Sequence, residues 1–356
     1  MVRAKAEKRA CFTFTGLMGS FKKKQPDGLQ RFRIQLEDLR SLVKGADKEK
    51  KNGPGQYFFE AGTRTVFFKL QALARIYRSI LDKKIFDSLY RDFKQLEDQL
   101  GKIDEYDFFL KDLSKENNLP ELFLNYFKTG KENQIKTLDE MIINGNLLSG
   151  EDKIDQLLKS LEKVKWLEHE EERKMTAHFL AAEIYKIITQ YADGNLSFND
   201  IELGLHELRR KVRWISIYAQ ALNGLISLKP SMMMPAELQP YMTPEVVNSS
   251  FNRLPAVPEG INPITIQEPF FHALSWFINE LGKLKDKGLW VIAVHDAIRK
   301  QGIKSSEGLR ITTQLISPDS LSIAGTLEKA ERITDRFIYD NRVLYTIRRD
   351  MLRSLN

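Results

Sequence analysis

The sequence predicts an all-α protein: two similar antiparallel helical bundles, related by pseudo-twofold symmetry through internal duplication, with a long proline-rich loop in the second half. Three observations carry that prediction. Apolar residues recur at helical spacing through most of the chain, whereas Val, Ile and Thr do not alternate long enough for a half-buried strand, with Ile311 to Ile316 as one short exception. Two distant segments repeat one stripe: Leu29, Phe32, Leu36 and Leu39 match Leu205, Leu208, Val212 and Ile215, at i, i+3, i+7 and i+10. A second landmark follows each segment, Leu100-Gly101-Lys102 and then Leu281-Gly282-Lys283, so both recur in the same order.

Pro26-Asp27-Gly28 closes a basic tail at 1–25, and the first helix runs from there to Gly45, ahead of a Lys- and Gly-rich linker from Lys48 to Gly55. A second helix, Gln56 to Leu81, buries Val66, Leu70, Leu73, Tyr77 and Ile80 and carries Arg64, Gln71, Arg75 and Arg78 on a neighbouring face. A third stops at Gly101, in the role of a C-terminal cap, and a fourth, Asp104 to Lys128, is broken near Pro120. From 151 to 192 neither proline nor glycine interrupts the helical pattern, which Ser149 and Asp152 introduce at capping-box spacing and Gly194 closes. Ser197-Phe198-Asn199-Asp200 then repeats the capping signal and starts the helix that bears His206 and a run of arginines.

Of the twelve prolines, Pro230, Pro235, Pro240, Pro244, Pro255, Pro258, Pro263 and Pro269 crowd into 230–269, which therefore cannot be a regular helix. It reads as a long loop whose Met232, Met233, Met234 and Tyr241 cover an apolar surface. Helix resumes from Glu268 to Lys300 and again from Thr326 to Leu355. The two halves of the duplicated body thus run over 26–193 and 194–356.

With 42% apolar residues in 356, the chain can bury a large core. Its 55 Lys and Arg against 48 Asp and Glu leave a net charge of +7, with a pI near 9.1, a balance that suits an anionic partner. The lone cysteine, Cys11, excludes an intrachain disulfide and a cysteine-built zinc site. Basic residues from Arg3 to Arg9 precede an apolar stretch that Thr13, Thr15 and Gly16 interrupt, so no secretory signal is read; no run of about 18 apolar residues suggests a membrane span. A cytoplasmic location is the expectation.

Chemistry concentrates on the helix after Asp200. Side chains three and four apart on a helix are neighbours, so His206, Arg209, Arg210 and Arg213 crowd one strip, with a mutual repulsion of a few tenths of a kcal/mol per pair. Compensation comes either from carboxylates such as Glu202 and Glu207 or from a bound polyanion. Arg64, Lys69, Arg75 and Arg78 on the second helix are supporting candidates for polyanion contact, with surface ion pairs as the alternative for each.

The pattern His206-x-x-Arg209-x-x-x-Arg213 resembles the motif of CHAD domains, the conserved-histidine α-helical domains. Leu281-Gly282-x-x-Lys285-Asp286 is similar to the Leu-Gly-x-x-basic-Asp/Asn element that follows it in that family, and the order of elements in both halves resembles the family's duplicated architecture over about 27–300. The resemblance implies two helical bundles with a basic channel or surface between them, and a non-catalytic protein that binds inorganic polyphosphate or another polyanion. It makes His206, Arg209 and Arg213 second-half ligands, with Arg33 and Arg40 as their first-half counterparts. Gln30 stands where the family has its first-half histidine, and Glu37-Asp38 falls in a stretch that is usually basic. The second half is therefore expected to dominate binding.

No catalytic group, cofactor or metal is expected. Among His169, His178, His206, His272 and His295 no two have the i, i+4 spacing of paired helical ligands, and His169-Glu170-Glu171-Glu172 is followed by Arg173 where a zinc-protease motif needs histidine. His272 reads as a core or core-edge residue, His169 and His178 as surface positions. Gly16-Leu17-Met18-Gly19-Ser20 lacks the spacing of a phosphate loop. Nucleic acid is a weaker alternative, because Trp214 is the one aromatic interleaved in the basic strip. A helical scaffold or adaptor without a phosphate ligand is the main rival reading.

Overall fold

The computed structural model of the chain describes residues 27–48, 53–81, 83–145, 151–231, 234–316 and 322–355. The basic tail, Cys11, Ser149, Met232 and Met233 lie outside them. Helix dominates the described residues, joined by one two-stranded sheet. None of their helices is long and apolar enough to cross a membrane.

Helix α1 (Asp27–Lys48) buries the expected stripe of Leu29, Phe32, Leu36 and Leu39. The single helix expected over Gln56–Leu81 is instead two, α2 (Gly53–Glu60) and α3 (Arg64–Ile80). Gly62 breaks it: at φ 67 its N–H donates to Phe59 O at 3.2 Å while that of Thr63 donates to Phe58 O at 3.1 Å, a Schellman turn that closes α2. On α3, Phe67, Leu70, Leu73 and Tyr77 are fully buried, and Val66 and Ile80 only partly.

Helix α4 (Lys83–Leu113) passes straight through Gly101. The expected stop there is wrong for a geometric reason: the cap requires a left-handed glycine, and Gly101 is not at positive φ. The chain breaks near Pro120 as expected, before α5 (Glu121–Asn144). Next come α6 (Glu151–Glu162) and α7 (His169–Ala192), so the continuous helix expected over 151–192 is also interrupted. Trp166 sits in the gap and turns inward. Its indole N–H donates to Leu161 O at 2.9 Å, and its ring meets Tyr77 edge-on at 5.1 Å and Phe86 at 5.9 Å. Burying that side chain outweighs the helical hydrogen bonds lost at 163–168.

A polar knot lies in the same core. Arg31, 5% exposed, donates to Glu172, to the Tyr77 hydroxyl at 2.8 Å and to Leu222 O at 2.9 Å, and Tyr77 donates in turn to Glu172. Glu172 Oε1 accepts from both Arg31 and Tyr77, which holds a buried charge pair there although Glu172 Oε2 has no hydrogen-bond partner among the described residues.

In the second half, Gly194 at φ 72 follows α7, and Asp200 accepts from the N–H groups of Glu202 and Leu203 at 2.7 and 2.8 Å, the expected cap. A π-helical turn over Ile201–His206 leads into α8 (Glu207–Ala221), which buries Leu208, Val212 and Ile215. Two short strands, missing from the sequence reading, follow: β1 (Ile226–Lys229) and β2 (Ile264–Gln267), parallel, with Ile226 opposite Ile264. Four residues are too few for alternation to register. Parallel strands need a long crossover, and the proline-rich segment is that crossover.

Between the strands lies α9 (Pro244–Val247), flanked by short 3₁₀ turns, and Tyr241 is buried against Trp276 at 4.8 Å, in keeping with the expected covering role. Met234 is 42% exposed and covers little. Then come α10 (Glu268–Lys300), α11 (Ser305–Leu315), α12 (Ile323–Asp335) and α13 (Val343–Arg353). The strand suggested for Ile311–Ile316 falls mostly in α11, because Ile311 alone of that run is fully buried. The helix expected over Thr326–Leu355 is broken at Arg342, which has φ 51.

Helix α3 packs on both α4 and α8, and α8 packs on α10. One apolar core runs through this body, and a smaller one, with Phe109, Phe123, Phe127, Val294 and Ile311, ties the far ends of α4, α5, α10 and α11. The four helices α3, α4, α8 and α10, with α7 at one side, enclose the site described next.

Candidate functional site

A cleft of about 870 Å³ opens between α3 and α4 on one side and α8 and α10 on the other. Lysines and arginines outnumber carboxylates in its lining. It brings together Arg64, Arg75 and Arg78 from α3 with His206, Arg209, Arg210 and Arg213 from the π-helical turn and α8. These residues are far apart in sequence. Packing of Phe68 edge-on to Trp214, 5.9 Å between centroids, joins their two helices.

Arg33, Arg40 and Lys69 are not part of the cleft. Arg33 pairs with Glu162 at 2.8 Å, and Arg40 with Asp155 at 2.6 Å and Glu37 at 3.2 Å, so α1 spends both on α6 and on itself. Lys69, on the other side of α3, draws the Asp38 carboxyl down while burial, the larger influence, holds it above its usual range. The first-half counterparts inferred from α1 therefore do not meet the second-half arginines.

Within the cleft the cations differ sharply in partnership. Arg64 pairs with Glu97 at 2.7 Å and Asp104 at 2.6 Å, Arg75 with Glu183 at 2.6 Å, and Arg78 with Asp87 at 3.4 Å. Arg210 and Lys211 share Glu207 at 2.5 and 3.1 Å, and His206 Nδ1 lies 2.7 Å from Glu202. Arg209 and Arg213 have no ion pair among the described residues. Arg209 spends only its Nε–H, on Ile278 O at 3.0 Å, and Arg213 makes no hydrogen bond there, its guanidinium lying 4.4 Å from the Phe68 centroid. Burial, with Arg209 and Arg64 nearby, brings the Arg213 pKa down to about 10; Arg209 is lowered chiefly by burial, with Asp286 opposing and Arg64 adding to it. Both remain charged at neutral pH.

Two glycines set the height of these side chains. Arg64 lies across Gly101 on α4, and Arg209 across Gly282 on α10: a Cβ at Gly101 would sit 2.6 Å from Arg64 Nη2, and one at Gly282 3.0 Å from Arg209 Nε. Gln71, 1% exposed, also reaches the cleft, and its Nε2 has no hydrogen-bond partner. The arrangement presents unpaired guanidinium N–H groups and an amide donor to one space, a donor set suited to phosphate or carboxylate oxygens.

Sequence reasoning missed part of this lining. Lys186 on α7 and Lys102 on α4 face the cleft, and nothing local marks them, since tertiary packing alone brings α7 alongside. The aromatics were underestimated too: Phe68, Tyr90 and Phe108 line the cleft beside Trp214. The i, i+4 spacing Arg64/Phe68 could have indicated the first of them, and Trp214/Tyr218 a further ring of the lining, Tyr218. Three of these rings already carry guanidiniums, Arg64 and Arg213 over Phe68, Arg75 over Trp214 at 4.6 Å and Arg78 over Tyr90 at 4.8 Å.

Away from the cleft, His272 is buried, and burial lowers its pKa. His178 is exposed, while His169 is bound to Asp27 at 2.8 Å. Among the described residues no group of His, Cys, Asp and Glu assembles that could hold a metal ion. No family model, curated protein or solved structure matches the chain.

Proposed function

We propose that this is a non-catalytic polyanion-binding protein, a divergent CHAD-like domain whose ligand is inorganic polyphosphate. The carrying observation is the Arg64, Arg209 and Arg213 cluster, in which two guanidiniums are partly dehydrated, repel their neighbours and lack carboxylate partners. Phosphate oxygens would relieve that repulsion and satisfy the free N–H groups, with Gln71 as a further donor. Guanidiniums already lying on Phe68, Trp214 and Tyr90 leave less ring surface for bases, which favours a bare phosphate chain over single-stranded nucleic acid.

The duplication belongs to the same reading, with a changed pairing. Arg64 of α3 over Gly101 of α4, and Arg209 of α8 over Gly282 of α10, support α3 rather than α1 as the counterpart of α8. The proline-rich crossover is then an insertion between the matched helices of the second half. The second half still contributes most of the unpaired charge.

Titration with polyphosphate chains of graded length, against single-stranded DNA at equal phosphate concentration, tests the function. Tight, salt-sensitive polyphosphate binding is expected. Replacing Arg209 and Arg213 by alanine should reduce the log-log salt slope by about 1.4, and replacing Arg33 and Arg40 should leave it unchanged. Equal affinity for DNA would remove the polyphosphate specificity, and no binding at physiological salt would favour a scaffold.

A further inference from the structure

We infer that Gly101 and Gly282 are positioning residues for the anion site, acting through the arginines that lie on them. The inference rests on the polyanion reading above. Both glycines occur well inside long helices, α4 and α10, where glycine weakens a helix and neither adopts positive φ. Backbone conformation therefore does not explain them. What each gives up is a methyl group, and the space of that methyl is filled by a guanidinium: Arg64 Nη2 at 2.6 Å and Cζ at 3.1 Å over Gly101, and Arg209 Nε at 3.0 Å and Nη2 at 3.1 Å over Gly282.

The neighbouring groups bind each arginine down into that space. One turn before Gly101, Glu97 takes Arg64, and Asp104 takes its other edge; one turn before Gly282, the carbonyl of Ile278 takes the Arg209 Nε–H. Helix α4 and helix α10 thus each offer a flat shelf, and the shelves hold the two guanidiniums in the cleft that Arg213 also lines, near enough for both to depress its pKa. A methyl at either position meets the far end of a flexible side chain rather than backbone. At Gly282, where a single hydrogen bond holds the arginine, the helix can keep its course while the guanidinium is lifted, so the loss there falls on binding and not on folding.

The test is Gly282→Ala, titrated with inorganic polyphosphate of fixed chain length beside the unaltered protein, Arg213→Ala and Arg209→Ala. We expect Gly282→Ala to weaken binding about tenfold, the effect of losing one charge-assisted contact, and to lower the salt slope by about 0.7, with a melting temperature equal to or above that of the unaltered protein. In an Arg209→Ala background the same methyl should change affinity no further. A fall in melting temperature, or an equal loss in the Arg209→Ala background, would make Gly282 a packing residue and overturn the inference. Gly101→Ala, alone and with Arg64→Ala, repeats the cycle on the other shelf and decides the matter if the first variant does not fold. Weakening by Arg213→Ala without weakening by either glycine variant refutes the positioning role alone; indifference to Arg213→Ala refutes the polyanion reading beneath it.

Discussion

Arg213 keeps its charge against burial and against two neighbouring guanidiniums, while Arg64, over the same Phe68 ring, is held by two carboxylates. The helical strip that contains Arg213 was legible because a period of 3.6 puts His206, Arg209 and Arg213 together whatever the fold. On that strip the compensating carboxylates Glu202 and Glu207 were legible as well, one turn from His206 and Arg210, whereas the neutralisation of Arg64 and Arg75 was not, since Glu97, Asp104 and Glu183 arrive from other helices. The acidic groups also set the pH response. Burial, reinforced by Glu202 and opposed by Lys285 and His206, raises the Glu105 carboxyl above its ordinary range. It therefore takes up a proton sooner on acidification, removing one negative charge from the cleft lining. Polyphosphate affinity should rise as pH falls through that raised value, and Glu105→Gln should flatten that limb in titrations run across the acidic range. Because the ionised form is the one burial disfavours, the folded state loses this contribution as pH rises through the raised value, and Glu105→Gln should be neutral to slightly stabilising at pH 7.

Helix faces were readable, and helix ends only where the signal was local. Asp200 caps the turn it was expected to cap, and the Leu205, Leu208, Val212, Ile215 stripe is buried as a stripe. Trp166 leaves no such local mark: its gap between α6 and α7 exists because Tyr77 and Phe86, on other helices, accept the ring. Glycine was ambiguous for a related reason. Gly62 and Gly101 look alike in a sequence, yet one turns the chain and the other lies within α4. The two make opposite demands on a methyl group. Gly62 is exposed with open space around its Cβ position, so Gly62→Ala should cost about 1 kcal/mol through backbone strain alone, read as a lowered midpoint in urea.

For the whole molecule, sequence reading anticipated the helical class and the covering role of the proline-rich segment, and missed what anchors that segment. Strands β1 and β2 join the end of α8 to the start of α10 in fixed register, so the long crossover leaves α8 and α10 side by side. Four-residue strands pair only because the surrounding helices already confine them, a condition that no local pattern records. The gathering of Arg64, Arg75 and Arg78 with the second-half arginines is likewise a product of α3 packing on α8.

Three like charges held close together also make the melting temperature a property of the buffer. Chloride, weakly bound and monovalent, would leave their repulsion largely in place, whereas a multivalent oxyanion seated among them binds the folded chain and not the unfolded one. At a free concentration of one hundred times its dissociation constant such an anion adds about 2.7 kcal/mol to stability. Thermal scans in sodium chloride, sodium sulfate and tripolyphosphate at matched ionic strength should therefore separate, in that rising order. Arg213→Ala should draw the three curves together, starting from a higher melting point in chloride, because the variant has less repulsion to hold in check.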